Sequence, residues 1–203
     1  MKAVILPNDR KTPEQSVKDA TKLINETPVI VNLIEKVKKY GFFEVWICDN
    51  SDSSEMDKCI ESNFSHFNGI DIKIFKFPRE YKSGKILSKL GERGFCGMFL
   101  AMPCDFVIDF DIQKMISYHW EGARCCTVYI TEQMCATMEN DGVATPKSNE
   151  IKIVNSGFYV FEEECVEYSS SNEPIDTHLV PLLAEYDELS VYNPKCETVR
   201  KIT

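Results

Sequence analysis

Glycine is scarce in this sequence. Nine occur among 203 residues, a small supply for a chain that would have to fold a loop closely around phosphates. No C-x-x-C spacing occurs, and no two of the three histidines stand at metal-ligand spacing, which speaks against a zinc module. The nine cysteines are odd in number and scattered, with one adjacent pair (Cys125, Cys126), so they read as reduced, mostly core residues of a cytosolic protein rather than a secreted disulfide scaffold. No run of about 18 apolar residues is present, so no membrane-spanning helix is expected. The opening MKAVILPND is too short an apolar segment to read as a signal peptide. Cations are outnumbered: 23 Lys+Arg against 32 Asp+Glu give a net charge of −9. Nucleic-acid backbones and anionic membranes need clustered positive charge, so neither is expected as the main partner. Linkers, repeats and low-complexity tracts are also missing.

What remains is an ordinary globular composition, 43% hydrophobic and 27% charged, long enough to bury about 70% of its unfolded surface. Lys2–Leu6 (KAVIL) is a short apolar run ended by Pro7-Asn8-Asp9, hence a buried strand entering a polar loop. Residues 10–27 are polar and weakly periodic, expected as a long loop or irregular helix. In 28–40, Ile30, Leu33, Ile34 and Val37 fall at helical spacing. Pro28 suits the first turn and Gly41 the left-handed cap. Residues 44–48 (EVWIC) read as the next strand, and strand–helix–strand at this spacing predicts a βαβ unit with a parallel sheet. The pattern repeats: a helix over 54–64, a strand over 70–77, a helix over 85–90 and a strand over 95–102. A helix follows over 112–120 and a strand over 125–130. In the last third, 143–154 is polar and is expected as loop with short strands. A strand over 157–161, a helix over 175–186 and a strand over 189–192 complete one α/β domain spanning 1–203.

The sharpest chemical feature is Asp105, Asp109 and Asp111 in DFVIDFD. Carboxyl ends of strands are where open α/β sheets bind ligands, and hard cations such as Mg²⁺ are held there by one or two carboxylates plus phosphates. Asp109 and Asp111 are better explained as caps of the helix starting at Ile112. Asp105, ahead of an apolar triplet, is the functional candidate. The D-x-D could also belong to a phosphatase of the haloacid-dehalogenase type, although Ile112-Gln113 replaces that family's G-T/V, or to a metal-dependent glycosyltransferase. His66, His119 and His178 are isolated and read as surface or helix residues. The basic run 82–93 reads as a solvated helix face with one ligand-sized turn, Ser83-Gly84-Lys85. The stretch 162–167 reads as an acidic surface.

In order along the chain, the motifs resemble those of the sugar-1-phosphate nucleotidylyltransferases, and within them the glucose-1-phosphate cytidylyltransferases. MKAVILPNDR stands where that family has MKAVILAGG-x-G-T-R. Thr27-Pro28-Val29-Ile30 matches G-K-P-I, and Tyr40-Gly41-Phe42-Phe43-Glu44-Val45 matches Y/A-G-[I/F]-x-E-[I/V]. The turn at Lys82–Leu87 resembles T-G-G-R-L. Residues 104–112 resemble the metal strand G-D-x-[V/L]-x-D-[V/F]-D-[I/L], and 154–161 resemble [I/V]-N-[G/S/T]-G-[F/I]-[F/Y]-V. The resemblance runs to about residue 198.

It implies a three-layer α/β sandwich of the GT-A or Rossmann-like kind, with a mixed, mainly parallel sheet. It also implies transfer of a nucleotidyl group from a nucleoside triphosphate to a sugar 1-phosphate, in line at the α-phosphorus, with Mg²⁺ on the phosphates. Carried over residue by residue, Arg10 and Lys22 would neutralise the triphosphate, Asp105 and Glu197 would ligate Mg²⁺, and Gly84, Lys147 and Asn155 would meet base or sugar. The implied partners are a nucleoside triphosphate, CTP by the subfamily, and a sugar 1-phosphate.

The sequence departs from the pattern at the glycine-rich loop. Pro7-Asn8-Asp9 replaces A-G-G, removing residues that let backbone N–H groups close on oxygens and adding a carboxylate. Cys104 replaces the glycine before the aspartate, and Lys147 in Thr145-Pro146-Lys147 is displaced from the family's E-K-P lysine. These departures keep open a binding or regulatory module on the same fold, for which a homo-oligomer or a larger protein partner would be expected.

Overall fold

The computed structural model describes residues 1–138, 144–193 and 198–201. Its main sheet has seven strands in the order β10-β8-β9-β6-β1-β4-β5. These are β1 (Lys2–Leu6), β4 (Glu44–Asp49), β5 (Asp71–Lys76), β6 (Phe99–Pro103), β8 (Cys126–Met138), β9 (Ala144–Phe161) and β10 (Leu189–Tyr192). Two small ribbons complete the strands: β2 (Leu23–Ile24) with β3 (Thr27–Pro28), and β7 (Phe106–Asp109) with β11 (Thr198–Lys201). The helices are α1 (Pro13–Thr21), α2 (Val29–Lys39), α3 (Glu55–Ser62), α4 (Ser83–Gly91), α5 (Ile112–Gly122), α6 (Cys165–Tyr168) and α7 (Val180–Glu185), the last preceded by a π-helical turn over Ile175–Leu179.

Strands β6, β1, β4 and β5 run parallel, and β10 is parallel to β8. Only β9 is antiparallel to its neighbours β6 and β8. The sheet is therefore mixed and mainly parallel, as expected.

Alternation along β1 explains the three layers. Ala3 and Ile5 enter an apolar cluster with Ile30, Leu33 and Ile34 of α2, whereas Val4 and Leu6 enter another with Ile86, Leu87 and Leu90 of α4. With both faces covered, the strand must be apolar throughout, and a continuous run such as KAVIL is the result. Gly41 has φ +83° and its N–H bonds Lys38 O at 3.0 Å, closing α2 with the left-handed cap its sequence predicts. Strand β5 forms one edge of the sheet, with Asp71, Lys73 and Lys76 exposed along it.

One expectation is corrected and two are sharpened. Of the two readings of residues 10–27, the helix holds over Pro13–Thr21: Thr12 accepts a bond from Gln15 N at 3.3 Å and Pro13 follows it, which starts α1. The loop with short strands expected over 143–154 is, from Ala144 on, part of one long strand, since β9 begins there and pairs with β8 over Ala144–Pro146 and Ile151–Asn155; residue 143 lies outside the described residues. The 175–186 helix opens with the π turn, in which Ile175 and Leu179 are buried.

Candidate functional site

A cleft opens where the carboxyl ends of β1 and β6 meet an irregularity in β9. Leu6 ends β1 and Pro7–Arg10 follow it, Met102 and Pro103 end β6, Asn155–Gly157 come from β9, Ser83 starts α4, and Ile175 and Asp176 begin the π turn. The β9 contribution is a bulge. Val128 pairs with Tyr159 but Ile130 pairs with Asn155, so β9 carries two extra residues against β8. Gly157 takes φ +84° there, and its N–H bonds Asn155 Oδ1 at 2.9 Å. Ser156 Oγ donates to Tyr129 O at 2.7 Å, fixing the bulge to β8.

The loop after β1 holds itself together without glycine. Asn8 is its hub: its N–H bonds Ser16 Oγ (3.2 Å), its Oδ1 accepts Arg10 N–H (3.1 Å), and its Nδ2 donates to both Asp105 oxygens (3.2 and 2.9 Å). Asp105 is fully buried, at 0% exposure, one residue beyond Cys104, whose N–H extends the β1–β6 pairing by bonding Leu6 O at 2.9 Å. The Lys11 ammonium sits 2.6 Å from Asp105 Oδ2 and 2.5 Å from Asp19 Oδ2 of α1. Burial alone would depress the Lys11 pKa, but its bonds to the two carboxylates outweigh that and raise it. Burial likewise opposes ionisation of Asp19, yet Lys11 and Gln15 hold its pKa below the usual value.

A second carboxylate occupies the start of α4. Ser83 N–H donates to Asp9 at 3.1 and 3.2 Å, and Ser83 Oγ also bonds Asp9 Oδ2. An anion at a helix N-terminus is favoured by the dipole and the free N–H groups. Desolvation nevertheless dominates, raising the Asp9 pKa against the lowering effect of Ser83. Beside it, Gly84 N–H bonds Glu173 O at 3.1 Å, and a Cβ on Gly84 would lie 2.5 Å from that oxygen. Gly84 is thus required by the close approach of the 171–174 segment, a packing reason different from the ligand contact expected of it.

Of the sequence-selected residues, Arg10 and Asn155 line the cleft, with Gly84 next to its wall and Asp105 beneath it behind Asn8. Arg10 is half exposed and pairs with Asp176 at 2.8 Å. Asn155 also donates to Tyr159 Oη at 2.9 Å. Lys22, at the C-terminal end of α1, is not among the cleft residues. Lys147 lies on β9, with its side chain outside the described residues, and Glu197 lies outside them altogether. The Asp109 side chain is likewise not described, whereas Asp111 caps α5 by accepting from Gln113 N at 3.0 Å.

Sequence reasoning missed Asn8, Lys11, Asp19 and Asp176. The available signal was four consecutive polar residues, Asn8-Asp9-Arg10-Lys11, filling a loop that should have been glycine-rich. His119 is a helix residue, as expected, and is buried on α5, within 2.8 Å of Thr127 Oγ1 and 3.3 Å of Glu162; burial depresses its pKa against the pull of Glu162. A roomier hollow beside it, about 450 Å³, lies at the opposite end of the parallel strands and holds none of the selected site residues. The seven cysteines whose side chains are described are free; Cys48, Cys104, Cys126 and Cys165 are buried, while Cys96 is exposed.

A magnesium ion does not fit Asp105 as it stands. Both oxygens are engaged by Asn8 and one also by Lys11, and Mg²⁺ needs near-octahedral oxygen ligands at about 2.0–2.1 Å. Among the described residues, no group of three or more His, Cys, Asp or Glu is arranged to hold a metal. No described helix is long and apolar enough to cross a membrane.

No protein-family model matches the sequence, and no curated protein does. Solved structures do match. One, described as a glucose-1-phosphate thymidylyltransferase from Bacillus anthracis in complex with sucrose, aligns over 98% of this chain and 88% of its own, at TM-score 0.73 and 12% identity. HddC from Yersinia pseudotuberculosis aligns over 99% and 93%, at TM-score 0.75 and 14% identity. The same protein complexed with GMP-PN aligns over 98% and 92%, at TM-score 0.70 and 14% identity. At these identities the likeness establishes the fold.

Proposed function

We propose that this chain is a sugar-1-phosphate nucleotidylyltransferase-like protein that takes a nucleotide and a sugar phosphate at the cleft after β1 and β6. The observation that carries the reading is convergence. Arg10, Ser83 at the α4 entry and Asn155 are far apart in sequence, yet they line one strand-end cleft, with Asp105 behind Asn8 at its base, on a fold shared with the thymidylyltransferase and HddC structures.

In the proposed reaction a sugar phosphate oxygen attacks the α-phosphorus of the triphosphate. The new P–O bond forms as the bond to the pyrophosphate oxygen breaks, and pyrophosphate leaves with that electron pair. Arg10 supplies a planar guanidinium for phosphoryl oxygens once it leaves Asp176. Ser83 Oγ and the Asn155 amide supply directional polar contacts to the sugar. No step is assigned to a metal on Asp105. Preference for CTP rests on the sequence resemblance at Lys82–Leu87. Lys22 and Lys147 are retained as candidate phosphate contacts on the same resemblance, and a cytoplasmic location fits the thiol-rich composition.

The cleft is narrow, about 70 Å³ against the ~300 Å³ or more of a typical small-molecule site. Opening of the Arg10–Asp176 bridge, both partners of which line the cleft, would widen it for a nucleotide. A second reading, a binding or regulatory module, is favoured by one specific observation. The two places where the resemblance puts phosphate and metal are filled by the chain's own Asp9 and Lys11. A D-x-D glycosyltransferase is less well supported, since Asp111 serves as a helix cap.

Thermal unfolding with CTP, UTP, GTP, ATP and dTTP, each with and without glucose 1-phosphate, tests binding, because a ligand for the folded state raises Tm by mass action. A pyrophosphate-release assay on the same mixtures tests turnover. A shift with pyrophosphate release supports the transferase, and a shift without it supports the module. A flat response throughout refutes the transferase; a pull-down for a larger protein partner then tests the module, and recovery of none refutes that reading.

A further inference from the structure

We propose that Lys11 is the resident cation of this cleft, occupying the place a divalent ion would take between Asp105 and Asp19, so that the native protein holds no metal there. The geometry is that of a cation site already filled. Two carboxylates from different elements converge on the Lys11 nitrogen at 2.6 and 2.5 Å, and Asn8 Nδ2 closes the remaining side of Asp105. Asp105 has no exposed side-chain surface, and the Lys11 side chain is only 17% exposed.

A buried carboxylate without a counter-charge is costly, so the burial of Asp105 calls for a cation beside it. An ammonium carried by the chain meets that need without drawing on solution. It also resists exchange: an incoming ion would have to expel Lys11 from two short, charge-assisted bonds and leave its charge beside the new one. The converse is equally specific. With Lys11 shortened, two oxygen-bearing anions would face one hole, the donor set that hard divalent cations use.

The inference deepens the proposed function, resting on it for the reading of this cleft as a phosphate and metal site, but its test uses the protein alone. Failure of one is therefore distinguishable from failure of the other. Mn²⁺ binding followed by electron paramagnetic resonance, with thermal unfolding in Mg²⁺ or EDTA, is compared for the wild type, Lys11→Ser and Lys11→Ser/Asp105→Asn. The wild type should retain no Mn²⁺ at this site and show the same Tm in both buffers. Lys11→Ser should bind one Mn²⁺ and gain roughly 5 °C in Tm at a hundredfold excess of metal over Kd. The double variant should lose both effects. A wild type that binds one Mn²⁺, with that binding abolished by Asp105→Asn, would overturn the proposal. So would a folded Lys11→Ser that ignores both metals. Should Lys11→Ser not fold, the wild-type titration against Asp105→Asn alone decides.

Discussion

Arg10 and Lys11 are adjacent in one loop, carry the same charge and each pair with an aspartate, yet they end in opposite environments. Lys11 is turned inward onto Asp105, which has no exposed side-chain surface, whereas Arg10 is turned outward, 54% exposed, onto Asp176. The same kind of contact therefore has different consequences. In the interior, each partner is needed because the other cannot be left unpaired. At the lip, water and salt compete for both partners, so the pair contributes little to stability and can be broken by an arriving anion. The inner pair is part of the frame, and the outer pair is a latch.

The sharpest way to break this contrast is to remove both cations in turn. Lys11→Met should destabilise the fold by about 3 kcal/mol, read by urea unfolding, because it strands Asp105. A loss as small as that of the exposed pair would show that the two environments are equivalent. Next in size, Gly84→Ala should cost about 2 kcal/mol, since its Cβ would sit 2.5 Å from Glu173 O and push the 171–176 segment away from α4. Because that segment carries Asp176, the same variant should loosen the Arg10 latch, detectable as faster hydrogen exchange over 171–176.

Asp9 joins the inner and outer regions, and its raised pKa sets a pH signature. A raised acid favours the folded state while protonated: its contribution is fully present below the unfolded value of about 3.8 and is lost as pH rises through the folded value. Paired melts from pH 7 to pH 4 should therefore show the wild type gaining on Asp9→Asn as pH falls, and a constant difference would refute the assignment. The smallest stability effect is expected of Arg10→Met, within about 1 kcal/mol. Its affinity for a phosphate ligand should nonetheless fall roughly tenfold or more, as for loss of a charged hydrogen bond; titration calorimetry with the ligand found in the screen reads this.

Legibility in the sequence followed coverage by other layers. β1 and β4 lie between helices on both faces, so KAVIL and EVWIC are continuously apolar and announce themselves. β9 pairs with β6 only over Tyr159–Phe161 and runs on from there with β8 alone. A two-strand ribbon of that kind places few apolar demands on its residues, and its polar composition reads as loop. The site divided along similar lines. Arg10, Asp105 and Asn155 were legible because each ends an apolar strand or sits in a motif. Lys11, Asp19 and Asp176 were not, because ion pairs between loop, helix and a π turn leave no spacing in the chain.

The edge strand β5 has a bearing on self-association. Lys73 is tied to Glu44 and Asp71, and Lys76 to Asp49 and Asp57. A second copy adding a strand there would have to work past two tethered ammonium groups in six residues, the pattern by which sheets discourage edge-to-edge growth. Sheet extension between molecules is thereby disfavoured on this side.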